Sequence, residues 1–306
     1  MTVSDSDSDS VPAPAPAPAP ADGPGAARAA LVLVATPIGN LGDLSPRAVE
    51  ELRTATFVAA EDTRRTRGLF THAGIPGGRR LRSVHQHNER EGARWITRAI
   101  AEGARVAYVT DAGMPGVSDP GAHLVRACLD AGLPVEVVPG PSAVLTALVL
   151  SGFPTDRFVF EGFPPRRGNA RRELFESLVG EARPVVLFEA PSRVGATLRD
   201  LLGACGPLRE VAVARELTKL HEEVWRGTLA DALSRAADTE ARGEHVIVLG
   251  PAPTPPEASD EEVDAHVAAA LEAGLSTRDA AARVARDLRV TRRRAYDAAT
   301  RLRHRP

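Results

Sequence analysis

Three times in this chain a short apolar run empties directly into a loop of small residues that leads to a helix start. The first, Leu31-Val-Leu-Val-Ala-Thr-Pro-Ile-Gly-Asn40, leads to Ser45-Pro46; the second spans 105–121; the third, Val135-Glu-Val-Val-Pro-Gly-Pro-Ser142, opens a helix at Ala143. A buried strand that ends in such a loop builds a ligand site at its carboxyl end, and three of them can converge on one crevice.

The chain has 306 residues, 43% of them hydrophobic, and a formal net charge of −2. That is enough for a full core and about two domains. No stretch approaches the ~18 uninterrupted apolar residues of a membrane span. The first residues are Ser-Asp repeats rather than a basic region followed by an apolar one, so a cytoplasmic location and no membrane contact are expected. Cys128 and Cys205 lack paired spacing, which argues against a disulfide framework or a thiolate metal site and for two buried thiols. Lys219 is the only lysine beside many arginines. An amine can lose its proton near neutral pH where a guanidinium cannot, which makes this position a candidate for chemistry.

Residues 1–30, Ser-Asp then Ala-Pro repeats, have a composition that can bury nothing and read as a disordered tail. From 31 to 142, apolar runs at 31–35, 56–60, 105–109 and 135–138 alternate with helical patterns at 45–54, 62–73, 88–102 and 119–131. Such alternation predicts an α/β domain with a mostly parallel sheet. Ser45 before Pro46 and Asp119 before Pro120 read as caps ahead of a first-turn proline. From 143 to 250, strands are expected at 157–161, 184–188, 210–215, 222–226 and 244–249, with helices at 170–180, 193–203 and 228–237. The third and fourth of these strands lie too close for a crossover helix, which predicts antiparallel pairing and a mixed α+β second domain. A Pro-rich linker over 251–259 and a small helical domain over 260–306 complete the chain.

Several segments carry chemistry-bearing residues. Asp111-Ala-Gly-Met-Pro115 follows a strand, so its carboxylate and amides can meet a polar ligand; the competing reading is a tight turn. Gly140 permits close backbone approach and Ser142 stands at a helix start. The loop Thr36–Asn40 has too few glycines for a dinucleotide fingerprint and lacks the lysine of a phosphate loop, which disfavours NAD and ATP. Glu61 and Asp62, followed by Arg64 and Arg65, suit a general base beside a phosphate clamp, or else an acid-favouring helix start with solvated arginines. His85 and His87 have metal-like spacing but no third ligand, so substrate hydrogen bonding, or capping by Asn88, is preferred to zinc. Arg215, Glu216, Thr218 and Lys219 follow a strand directly, as catalytic groups or as a charged strand end. Residues 275–296 read as a helix-turn-helix split near 288–290 and capped by Thr291. Arg283, Arg286, Arg289, Arg292, Arg293, Arg294, Arg301, Arg303 and Arg305 make this region a basic patch, the footprint of a nucleic-acid backbone or a solvated tail.

In order, the segments 34–43, 60–64, 85–89, 110–115, 119–121, 139–143, 161–164 and 214–219 closely resemble the tetrapyrrole methylase superfamily, and within it the small-subunit ribosomal RNA methyltransferases. The resemblance runs from about Leu31 to Pro251, with a weaker match through the C-terminal helices. It implies methyl transfer from S-adenosylmethionine to the ribose 2′-hydroxyl of a cytidine in the decoding region of 16S rRNA, with the small ribosomal subunit as partner. It also implies two α/β domains with the donor between them, and a homodimer. Carried over by motif, the donor would touch Pro37, the loop Asp111, Ala112, Gly113, Met114 and Pro115, then Ser142, Ala143, Glu189 and the backbone near Leu217. Met114 replaces the threonine of many relatives, so at that position only the amide is expected to serve.

A ribose hydroxyl is a poor nucleophile, so the site must align it with the methyl and remove its proton. The candidate base is Lys219, its pKa lowered by the donor's sulfonium and Arg215, or else Glu61 or Asp62. Asn40, Arg64, Arg65, His87, Asn88 and the tail residues Arg292, Arg293 and Arg294 are candidates for holding RNA, and no metal is required. Two alternatives stay open: a corrin-ring methyltransferase of the same superfamily, and an RNA-binding protein with an inert core that works through the C-terminal helices.

Overall fold

The computed structural model describes residues 28–76, 80–238, 242–253 and 258–303. The expected tail, up to residue 27, lies outside them, as do positions 254–257 of the linker and Arg305. Two compact units divide after Pro251, and each is described by itself.

The larger unit begins with β1 (Ala30–Val34), α1 (Pro46–Thr54), β2 (Phe57–Ala60), α2 (Thr63–His72), β3 (Leu81–Ser83), α3 (Glu89–Ala101), β4 (Arg105–Val109), α4 (Ala122–Asp130) and β5 (Val135–Val138). The strands form one parallel sheet in the order β3-β2-β4-β1-β5. β1 is buried on both faces, which is why it reads as a continuous apolar run. One face packs Val32, Val34 and Ala107 against Leu52 of α1 and Phe70 of α2; the other packs Leu31, Val106 and Tyr108 against Ile96 of α3 and Leu124 of α4.

Ser45 caps α1 as expected, its Oγ accepting the Ala48 amide at 3.1 Å ahead of Pro46. The cap expected at Asp119 is absent. α4 starts three residues later, with Gly121 at its N-cap, and the buried Glu89 of α3 caps it instead: Oε1 accepts the amides of Gly121 (2.8 Å) and His123 (3.2 Å). The carboxylate of Asp119 is thereby left out of the helix start.

The chain continues with α5 (Ala143–Ser151), β6 (Val159–Gly162), α6 (Asn169–Ser177), β7 (Val185–Glu189), α7 (Val194–Cys205), β8 (Glu210–Arg215), β9 (Glu223–Thr228), α8 (Leu229–Asp238) and β10 (His245–Leu249). The second sheet has the order β6-β7-β10-β8-β9. β6 and β7 are parallel; the other pairs are antiparallel, including the β8–β9 pair expected from its short connection. α6, α7 and α8 cover one face, while Val144, Ala147 and Leu148 of α5 pack on the other with Ile38 and Leu217 from loops. Of the cysteines, Cys128 is buried and Cys205 only partly so.

The smaller unit holds α9 (Asp260–Glu272), α10 (Thr277–Asp287) and α11 (Arg292–Arg303), packed around Val263, Val267, Val284 and Ala295. The α10–α11 turn falls where expected: Arg289 has φ 53° and Thr291 Oγ1 accepts the Arg294 amide at 3.3 Å. The basic patch expected here is partly neutralised within the unit. Acids of α9 take up part of it, with Asp260 binding Arg294 (2.7 Å) and Asp264 binding Arg301 (2.6 Å). No helix among the described residues is long and apolar enough to cross a membrane.

Candidate active site

The loops after β1, β4 and β5 meet at the carboxyl end of the first sheet, as the repeated strand-loop-helix pattern requires. Thr36 and Gly113 join the first two by paired amide–carbonyl bonds of 2.9 and 3.1 Å. Gly113 has φ 77°, which glycine adopts without strain. Gly140 brings the third loop so close that a Cβ there would lie 2.9 Å from the Cβ of Ala35.

Against these loops stand the end of β7, the start of β10 and the segment after β6, and between them lies a cavity of about 370 Å³. The first sheet's loops contribute Ile38, Ala112, Gly113, Met114, Ser142 and Ala143; the second sheet contributes Phe163, Phe188, Glu189, Glu244 and His245. Its walls are mostly apolar, and Phe188 meets Phe163 edge-on at 5.6 Å between ring centres. Size and lining are those of a small-molecule site with a few orienting polar groups. Ser118 and Asp119 also line it, and both line in addition a second, polar groove of about 990 Å³ walled by Glu61, His87, Asn88, Arg90, Arg94 and His123. An apolar cavity and a polar trough thus share Ser118 and Asp119 in their walls.

Carboxylates gather at this junction. Burial raises the pKa of Glu61, whose Oε2 accepts the Asp111 amide at 3.3 Å. Burial also raises that of Asp111, against the pull of Arg65 at 3.4 Å. Asp119 is pushed up to about 7 by burial and then by the negative charges of Glu61, Asp111 and Glu244. Nearby, His85 Nδ1, Thr110 Oγ1 and Asp111 Oδ1 are buried with no hydrogen-bond partner among the described residues.

The sequence-derived residues fare unevenly. Ala112, Gly113, Met114, Ser142, Ala143 and Glu189 line the cavity; Pro37, Pro115 and Leu217 are buried and outside its lining, as is the half-buried Asp111 just after β4. The Glu189 carboxylate is committed to the Ala190 amide, the Arg193 guanidinium and the Thr197 hydroxyl, and its side chain is fully buried. His87 and Asn88 line the groove, although Asn88 also locks its own loop, accepting the His85 amide at 2.7 Å. Asn40 caps a short 3₁₀ turn at Leu41–Asp43, and Arg64 and Arg65 are exposed. In the helical unit, Arg292 and Arg293 are exposed while Arg294 is held by Asp260 and the Ala258 carbonyl.

Three expectations about the base are corrected. Asp62 caps α2, accepting the Arg64 amide at 2.7 Å, and these amides hold its carboxyl below the usual range. Lys219 donates to Glu216 (2.8 Å) and Glu244 (3.1 Å), and these carboxylates raise its pKa over the opposing effect of burial. Arg215 points to the other side of the second sheet, into a small cavity with Leu198 and Trp225. The sequence reading missed the aromatic wall and the placing of Ser118 and Asp119 in both walls. Their segment was visible as a motif, but a carboxylate before proline looks the same whether it caps a helix or faces a cavity.

The family of tetrapyrrole (corrin/porphyrin) methylases matches residues 30–233, which contain every loop of the cavity except that before β10. The chain belongs to this family. The methylase is 43% identical over 87% of its length to a protein of Synechocystis, covering 95% of that relative, which is named ribosomal RNA small subunit methyltransferase I. A Xylella fastidiosa protein of the same name is 49% identical over 72% of the methylase and 80% of its own length. Among solved structures, uroporphyrin-III C-methyltransferase from Thermus thermophilus, in complex with S-adenyl homocysteine, shares the fold: TM-score 0.51, 23% identity, 72% of the methylase and 97% of that chain. The resemblance read from the ordered motifs is confirmed at the level of family and fold, and the methylase is a methyltransferase.

Proposed function

We propose that this enzyme transfers a methyl group from S-adenosylmethionine to the ribose 2′-hydroxyl of a cytidine in the decoding region of 16S rRNA, cytidine 1402. The observation that carries the reading is the pairing of an apolar, aromatic-walled cavity with a polar trough bearing arginine and histidine, joined at Ser118 and Asp119. The names of relatives 41–49% identical to the chain support ribosomal RNA of the small subunit as the acceptor.

The residues fit the donor. The Phe163 and Phe188 rings and the loop at Ala112–Met114 offer apolar faces and backbone amides to an adenosine. Bound there, S-adenosylmethionine supplies an electrophilic methyl on a sulfonium sulfur. The protein must hold the ribose hydroxyl in line with that methyl, keep bulk water from the cavity and accept a proton. Arg90, Arg94 and His87 on the trough suit an RNA backbone, which positions the acceptor. Lys219, kept charged by Glu216 and Glu244, holds the loop after β8 against the segment before β10 and is not the base.

The test is tritium transfer from labelled S-adenosylmethionine into small ribosomal subunits from a strain lacking this gene, with the nucleoside identified by mass spectrometry. A 2′-O-methylated cytidine is expected. Label in a tetrapyrrole, or none in rRNA or subunits from protein that binds the donor, overturns the reading.

A further inference from the structure

Asp119 occupies a position that no structural duty explains. The helix that it precedes is capped by Glu89, and its carboxylate makes no hydrogen bond to another described residue. It lies in the walls of both the cavity and the trough. The residue before it, Ser118, sits at φ 61°, a left-handed conformation that a side-chain-bearing residue keeps only where its surroundings enforce it. Neighbours on both sides enforce it here: the Gly116 amide bonds the Pro120 carbonyl at 3.1 Å, and Gly162, at φ 64°, leaves room for the Ser118 hydroxyl, which would lie 3.1 Å from a Cβ there. The loop is therefore shaped so that one unpartnered carboxylate faces the boundary between two ligand spaces.

We infer that Asp119 is the catalytic base, taking the proton of the acceptor hydroxyl where the trough meets the cavity. This rests on the RNA reading above and deepens it. As the ribose oxygen forms its bond to the methyl carbon, its O–H bond breaks toward an Asp119 Oδ, which becomes a neutral carboxylic acid. The electron pair of the breaking C–S bond remains on sulfur, so a cation and an anion are consumed together and charge balances. Solvent in the trough then removes the proton.

The surroundings tune the group for this task. Glu61 at the end of β2, Asp111 at the end of β4 and Glu244 before β10 oppose its ionisation, as does burial. His87, Glu89 and His123 face it across the trough. A base that ionises near neutrality is mostly ready at physiological pH yet still basic enough to take a proton.

The experiment compares Asp119→Asn and Asp119→Glu with wild type by two readouts. One is S-adenosylhomocysteine affinity by calorimetry; the other is single-turnover methyl transfer into small subunits from about pH 5.5 to 9. Asp119→Asn is expected to keep affinity within about threefold while transfer falls about 10²–10⁴-fold, the usual range for a lost general base. Wild-type transfer should rise about tenfold per pH unit up to about 7 and then level, and the variant's residual rate should lack that limb. Asp119→Glu should restore part of the rate and the limb. Asp119→Asn with near-normal transfer and an intact limb overturns the proposal, as does an affinity loss equal to the transfer loss. Should Asp119→Asn not fold, Asp119→Ser takes its place, and near-normal transfer with an intact limb by that variant overturns the proposal. Wild-type protein that binds the donor product yet labels no RNA overturns the RNA reading and the proposal with it.

Discussion

Glu89 Oε1 accepts the Gly121 amide at 2.8 Å, so that a residue of α3 caps α4 on the floor of the polar trough. Removing this carboxylate orphans two amides, Gly121 and His123, at a cost of about 1–3 kcal/mol for a buried unsatisfied group. Glu89→Ala should lower the melting temperature by several degrees, and Glu89→Gln, which keeps an acceptor oxygen, by less. Differential scanning calorimetry on both variants checks this.

Asp119 gives a pH-dependent stability of defined sign. In the unfolded chain its carboxyl ionises in the ordinary range, near 3.8, whereas in the folded protein it ionises near 7. Between those values the folded state holds a proton that the unfolded state has lost, so stability falls as pH rises through the window, and above it the loss is complete. Asp119→Asn removes the effect. The variant should therefore gain melting temperature over wild type at pH 8, and gain less at pH 5. Melting curves at the two values decide it, and equal gains would contradict the assignment.

Lys219 should prove necessary without being the base. Its ammonium is shared between Glu216 and Glu244, which keep it protonated through neutral pH. Lys219→Met should lower kcat/KM by about tenfold or less while leaving the limb near pH 7 in place, because the titrating group is elsewhere. A pH–rate profile of the variant is the measurement, and disappearance of the limb would return the lysine to the chemistry.

The contrast between Lys219 and Asp119 shows what the sequence made legible. The strand-loop-helix units, the parallel sheet and the β8–β9 pair follow from local patterns: apolar runs, Ser45 before Pro46, and a connection too short for a crossover. β3, only Leu81–Ser83, is too short to register as a run, and α5, whose start at Ala143 was legible, is apolar on all sides, so no helical period marks its extent. At the site, composition singled out Lys219, but its proton affinity depends on Glu244, twenty-five residues away in sequence and adjacent only in the fold. Asp119 was legible as a carboxylate before proline. That Glu89, from another helix, would take over the capping duty was not.

Gly39 tests how closely the loops from the two sheets must approach. A Cβ there would lie 2.5 Å from Lys219 Cγ and 2.9 Å from the Leu217 carbonyl oxygen, closer than real contacts allow. Gly39→Val must push the loop that carries Ile38 away from the second sheet and widen the cavity. The expected result is at least about tenfold weaker S-adenosylhomocysteine binding, with a destabilisation of about 1–3 kcal/mol from overpacking. Calorimetric titration and a denaturant melt read the two effects separately.

In the helical unit, arginines with different partners should behave differently toward RNA. Arg294 is bound by Asp260 and the Ala258 carbonyl and ties α11 to α9, whereas Arg292 is exposed at the start of α11. If α11 meets a phosphate backbone, Arg292→Ala should weaken binding of small-subunit RNA and reduce the slope of log affinity against log salt by about one contact's worth. Arg294→Ala should instead lower the thermal stability of the three helices. Filter binding across a salt series, beside melting curves, separates the two. An unchanged salt slope for Arg292→Ala would remove α11 from the RNA-binding surface and leave the trough around His87, Arg90 and Arg94 to hold the acceptor.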